Sequence, residues 1–252
     1  LDPWATPQAY DNAKDFFDTG ITWSNSLNVA QMLEKSSYSI SLGNTHQDGI
    51  ISSTGMDRYN VKVSADTKLT SNWSSGFTAN YITTSIDKAV TSGNGLLRTV
   101  YAAPPSYDLA GIPSHVDGNP YTQNSFRGSF DNAYWAMENN KFTEDTNRFF
   151  GNVYTSYQTD FGTTNHKLNA KYMVGVDAYT THYVDSYGYG SNTGGGRGQI
   201  ENYGWTNATY NSLLTINYDW HINEDWGLNA VVGNEIIQSN RKKYYEYGTN
   251  YN

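Results

Sequence analysis

The sequence predicts an all-β chain, an antiparallel transmembrane sheet of about eight strands, on three observations. Segments of alternating apolar and polar residues recur along the chain, the connections between them alternate in length, and aromatic residues gather beside the short connections. Segments of this kind run over 21–33, 37–49, 57–70, 73–88, 147–161, 166–188, 210–222 and 226–247. Several match or exceed the roughly 9–11 residues that cross a bilayer at a tilt, whereas soluble strands average about 5–6.

Taken in order, each strand has one greasy and one polar side. Leu27, Val29 and Leu33 mark the first, and Tyr38, Ile40 and Leu42 alternate with Ser39, Ser41 and Gly43 on the second. Tyr59, Val61, Val63 and Leu69 oppose Asn60, Lys62, Ser64, Asp66 and Lys68 on the third, and Trp73, Phe77, Ala79 and Tyr81 mark the fourth. After the fifth, Leu168, Ala170, Tyr172, Val174 and Val176 back onto Asn169, Lys171, Gly175 and Asp177. Leu214, Ile216, Tyr218 and Trp220 do the same against Thr215, Asn217, Asp219 and His221. A soluble sandwich or propeller also alternates, and strand length argues against it.

Short turns fall at 34–36, 70–72, 162–165 and 223–225, and longer loops at about 49–56, 89–146 and 188–209. Short turns at one edge and long loops at the other fit an outer-membrane barrel, with Trp73, Phe161, Trp220 and Trp226 forming an interfacial girdle. If the short turns are periplasmic, both chain ends lie outside, which predicts an internal portion of a larger barrel rather than a complete small one. Leu1 to Trp4 lacks a leader, and no closing strand with an aromatic end precedes Tyr251 and Asn252.

Composition bounds the rest. A mean hydropathy of −0.66 and the lack of an apolar run of about 18 residues exclude a helical membrane protein but suit barrel strands, which are only half apolar. A net charge of −8 argues against nucleic acid as partner. The chain has 0 cysteines, which rules out disulfides and Cys-ligated metals. His46, His115, His166, His182 and His221 show no metal spacing, and the sequence holds no nucleophile elbow or phosphate loop, so no catalytic role and no cofactor is expected. "GYGSNTGGGRG" joins two strands rather than opening a helix and is read as an external loop.

Residues 15–81 carry a resemblance. Phe16 to Gly20, Glu34-Lys35-Ser36-Ser37-Tyr38, Ser41-Leu42-Gly43, Gln47-Asp48-Gly49 and Asp57-Arg58-Tyr59 are similar to successive motifs in the early barrel region of SusC/RagA-type TonB-dependent outer-membrane transporters. "FDNAYWAMENNKFTEDTNRFFGN", residues 130–152, resembles a second block of that family, ending in Arg148-Phe149-Phe150-Gly151-Asn152. Departures are Ala30-Gln31-Met32-Leu33, Asn44, and Ala133 in place of a frequent proline. The resemblance implies a plugged 22-stranded barrel of which this chain, 1–252, is a part, a SusD-like surface lipoprotein as lid, and energy from the TonB complex through a plug region outside this chain. It places the apolar faces against the lipid bilayer and the Ser, Asn and Gly faces toward plug and lumen.

Candidate ligand-binding residues lie in the long external loop 89–146: Tyr101, Tyr107, Tyr121, Arg127, Asp131, Asn132, Tyr134 and Trp135. Aromatic faces with amide and carboxylate groups suit sugars, and they also suit peptide backbones. The expected function is energy-coupled import of oligosaccharides, with oligopeptides as the alternative cargo. A passive porin or a surface structural or adhesive β-protein is the competing class. Packing of the large ordered loop against itself or the lid protein is the favoured reading of the same aromatics, ahead of direct ligand contact.

Overall fold

The computed structural model describes residues 8–90 and 95–250. Residues Leu1 to Trp4, Tyr251 and Asn252, on which the expectations about the chain ends rest, lie outside the described residues. The chain order is α1 (Asn12–Phe16), β1 (Thr22–Met32), β2 (Ser36–Asp48), β3 (Gly55–Lys68), β4 (Trp73–Lys88), α2 (Leu96–Ala102), β5 (His115–Val116), β6 (Asn119–Gln123), α3 (Ala133–Asn139), β7 (Lys141–Thr159), β8 (His166–Tyr189), β9 (Arg197–His221) and β10 (Gly227–Thr249). All strands except the β5–β6 pair form one 8-stranded antiparallel sheet in the order β1-β2-β3-β4-β7-β8-β9-β10. The sheet is open, and its two edges are β1 and β10.

Turn chemistry explains the tight reversals. Between β3 and β4 the Thr70 hydroxyl accepts from the amides of Asn72 at 3.2 Å and Trp73 at 3.0 Å. Between β9 and β10 the Asn223 side chain accepts from Asp225 N at 3.0 Å and Trp226 N at 2.9 Å. These are the side-chain mimics of a turn that Asn and Thr supply. Phe161 and Gly162 carry the positive φ of the β7–β8 turn.

Register aligns the alternating residues into two uniform faces, as period two requires. Val29, Ile40, Val63, Ala79, Gly151, Val176 and Tyr210 form one continuous row across seven strands, and Leu27, Leu42, Val61, Tyr81 and Phe149 lie in the next. Along β8 the apolar side runs from Leu168 to Ala178. At about 3.4 Å per residue and a tilt of about 45°, that span covers roughly 25 Å, the height of a barrel's lipid-facing band.

This apolar face is bare. Val29 is 59% exposed, Ile40 48% and Val153 53%, whereas Ser39, Ser41 and Gly43 on the opposite face are half-buried. A sandwich would cover the apolar side with a second sheet, and among the described residues nothing does. The polar face closes on itself instead: the Ser39 and Ser64 hydroxyls lie 2.7 Å apart, and Arg148 makes a bidentate pair with Asp177 at 2.8 and 2.6 Å. Gly43 and Gly175 sit directly beneath Asn60 and Asn211, where a Cβ would collide with the amide side chains.

Two boundaries differ from expectation by more than two residues. β7 starts at Lys141 rather than 147, and β9 starts at Arg197 rather than 210, so the loops expected at 89–146 and 188–209 contract to 89–140 and 190–196. Beyond the apolar band polar, glycine and aromatic residues dominate both faces of these strands, with Phe142, Ile200 and Ala208 too isolated to set up the contrast that marks a strand in sequence.

Candidate functional site

The compact hydrophobic core of this chain lies outside the sheet. Phe16, Ile51, Leu96, Val100, Leu109, Ala133, Trp135 and Ala136 bury one another, so α1, the β2–β3 connection, α2 and α3 form a cap at the long-loop end. Asn132 starts α3: its side-chain oxygen accepts from Tyr134 N at 2.9 Å and Trp135 N at 3.2 Å, an N-cap that allows Ala133 to open the helix. The indole of Trp135 is fully buried and donates to Pro120 O at 2.8 Å.

Asp131 ties this cap to the sheet. Its carboxylate accepts from Gln123 Nε2 at 2.8 Å, Asn192 N at 2.7 Å, Asn192 Nδ2 at 2.8 Å and the Ser191 hydroxyl at 2.6 Å. Residues 191 and 192 belong to the β8–β9 turn, and Ser191 is itself completely buried. Gly190 enters that turn with φ +99°, and a Cβ there would strike the Tyr121 carbonyl, so only glycine lets the segments approach this closely.

The expected ligand residues therefore divide. Asp131, Asn132 and Trp135 are buried, and their polar groups serve the cap's own structure. Tyr134 packs edge-on against Phe16 at 5.3 Å and donates to Asp15 O, and Tyr107 lies 5.7 Å from Phe126. Burial, reinforced by Asp15, raises the Tyr134 phenol above its ordinary pKa, and burial alone raises Tyr107. Tyr101, Tyr121 and Arg127 remain exposed, with Tyr121 edge-on to Tyr189 at 5.5 Å and the Arg127 guanidinium 5.3 Å from the Phe130 ring.

A second aromatic group was missed in sequence. Tyr183, Tyr203 and Tyr245 are neighbours across β8, β9 and β10 on the polar face, with Trp205 beside them. The rings of Tyr183 and Tyr203 stack at 4.9 Å with an interplanar angle of 8°. Tyr203 and Trp205 fall in the stretch read as a Gly-rich loop. Their i, i+2 spacing opposite Tyr183 was the available signal.

No protein-family model matches the sequence, and no curated protein does. Solved structures do match. A chain of the RagAB peptide importer in the 'closed-closed' state aligns with a TM-score of 0.78 and 16% identity over 97% of this chain and 27% of that one. The 'open-open' state gives 0.78 and 15% over 99% and 27%, and a further RagAB peptide transporter structure gives 0.74 and 14% over 100% and 28%. This chain thus spans little more than a quarter of those chains' length. At such identity the likeness is one of fold: the chain has the architecture of an eight-stranded portion of a β-barrel, open at both edges, with its cap at one end.

Proposed function

We propose that this chain is part of the wall of an outer-membrane importer for nutrient oligomers. One observation carries the reading: a bare apolar band of bilayer height on one face of eight strands, backed by a polar face that bonds to itself. In hydrocarbon, each unpaired backbone group costs several kcal/mol, so β1 and β10 would pair with further strands to close the barrel. The fold likeness to a peptide importer supports transport through the enclosed space.

Oligopeptides are the first cargo in this reading, because the matched structures are of a peptide importer. Oligosaccharides, the cargo expected from the loop aromatics, are the second. A SusD-like lipoprotein would cover the cap side, where Tyr101, Tyr121 and Arg127 are exposed, and a plug contacting TonB would fill the barrel against the polar face. Loop 89–140 would then be extracellular.

The test is intact mass and peptide mapping of the detergent-extracted complex from native outer membrane, followed by uptake of labelled oligopeptides and oligosaccharides. Recovery with a plug-bearing segment and a surface lipoprotein, and uptake that stops when the proton-motive force is collapsed, is the expected result. Recovery without a plug, with energy-independent diffusion, would establish the passive-porin class instead.

A further inference from the structure

Above the apolar band the polar face carries charges in a particular order. Asp185 and Glu201 face each other on β8 and β9 in the row nearest the cap side of the aromatic group. The Tyr203 hydroxyl donates to Asp185 at 3.1 Å. The next rows hold Tyr183, Tyr203 and Tyr245, then Trp205, whose ring lies 5.3 Å from Tyr183. On the band side, Lys243 is opposite Trp205 and Arg241 opposite Asn207, with the Arg241 guanidinium 4.9 Å from the Trp205 ring.

Neighbouring charges are already neutralised, since Lys88 pairs with Glu144 at 3.3 Å and Arg148 with Asp177. Asp185 on β8 and Glu201 on β9, each flanked by strands on both sides, join no opposite charge among the described residues, and on the edge strand β10 the Arg241 guanidinium lies over Trp205. The strip is therefore polarised, acidic at one end, basic at the other and aromatic between. A neutral glycan has no use for such a gradient. A chain with an ammonium at one end and a carboxylate at the other does, and ring faces attract the ammonium as well.

We propose that this strip binds short oligopeptides by both termini, the α-ammonium toward Asp185 and Glu201 and the α-carboxylate toward Arg241 and Lys243, with the peptide lying across Tyr203 and Trp205. This inference rests on the reading of the polar face as the lumen of an importer. Glu201 lies four to six register positions from the level of Lys243 and Arg241. At about 3.4 Å per residue that is roughly 14–20 Å, the span of an extended peptide of about four to six residues.

The experiment is calorimetric binding to the intact transporter purified from outer membrane. Its probes are pentaalanine, its N-acetylated and C-amidated forms, and maltopentaose. Blocking either terminus is expected to weaken binding about tenfold, the effect of one lost charge-assisted contact. R241Q/K243Q should weaken pentaalanine to the same extent yet leave the amidated peptide unchanged, and D185N should do likewise for the acetylated form. Equal binding of free and blocked peptides, or variants that weaken all forms alike, would overturn the strip while peptide uptake left the importer reading standing. Binding of maltopentaose in preference to every peptide would also overturn it. Failure to bind or take up any oligomer would remove the importer reading along with it.

Discussion

Asp131→Ala should free the cap from the sheet and let α3 open locally, while the sheet stays folded. Four donors converge on this carboxylate, which is 7% exposed, and three of them come from residues 191 and 192 across the interface. Hydrogen bonds to a charged group contribute about 1.5–3 kcal/mol each, and bonds sharing one group do not add, so about 3 kcal/mol is the expected net loss. That corresponds to a roughly hundredfold rise in the local opening constant. Asp131→Asn keeps one oxygen for Gln123 and Asn192 but presents an amide to Ser191, and should cost about 1 kcal/mol. Hydrogen exchange on the intact transporter measures this directly. In α3 the Ala136 and Asn140 amides, bonded to Asn132 O and Ala136 O at 2.9 Å, should exchange about a hundredfold faster in the Ala variant. Amides of β3, flanked by strands on both sides, should not change. Unaltered exchange in α3 would refute the assignment of Asp131 as the link.

Two further perturbations probe other parts of the account. Ile40→Arg, in the middle of the bare band, should destabilise membrane assembly by about 2–4 kcal/mol, whereas Ser41→Arg on the polar face should escape that lipid penalty, as read by refolding into lipid vesicles. The raised phenols of Tyr107 and Tyr134 stay neutral in the folded cap, so their contribution is complete below the ordinary tyrosine pKa near 10 and is lost as pH rises through the higher folded values. Phenolate absorbance of wild type against Tyr107→Phe and Tyr134→Phe should place both midpoints above about 10, and midpoints at or below it would contradict their burial.

Legibility followed the physics of the two faces. Where one side of a strand meets an apolar band, as at Tyr38, Ile40 and Leu42, alternation located the strand and its orientation. At Lys141–Asn147 and Arg197–Thr209 polar and aromatic residues dominate both sides, and the same period is lost. The cap aromatics stood out by composition, but composition does not separate Trp135, wholly interior, from Tyr101, largely exposed, because that depends on contacts with α1 and the β2–β3 connection from distant sequence. The Asp131 link was likewise unreadable, since its partners lie some sixty residues away. Tyr203 and Trp205 are masked for a simpler reason: they follow the glycine-rich run 188–198, which has the composition of a loop.

The central claim, that Ile40 and Leu42 face lipid while Ser39 and Ser41 face the barrel interior, is tested most directly by single-cysteine nitroxide scanning of residues 38–43 in native outer membrane. The chain has 0 cysteines of its own, so labels in this segment report without competition from it. Collision with a lipid-soluble relaxer should peak at 38, 40 and 42 and fall at 39, 41 and 43. A flat profile, or greater access of a water-soluble relaxer at 40 and 42, would contradict it.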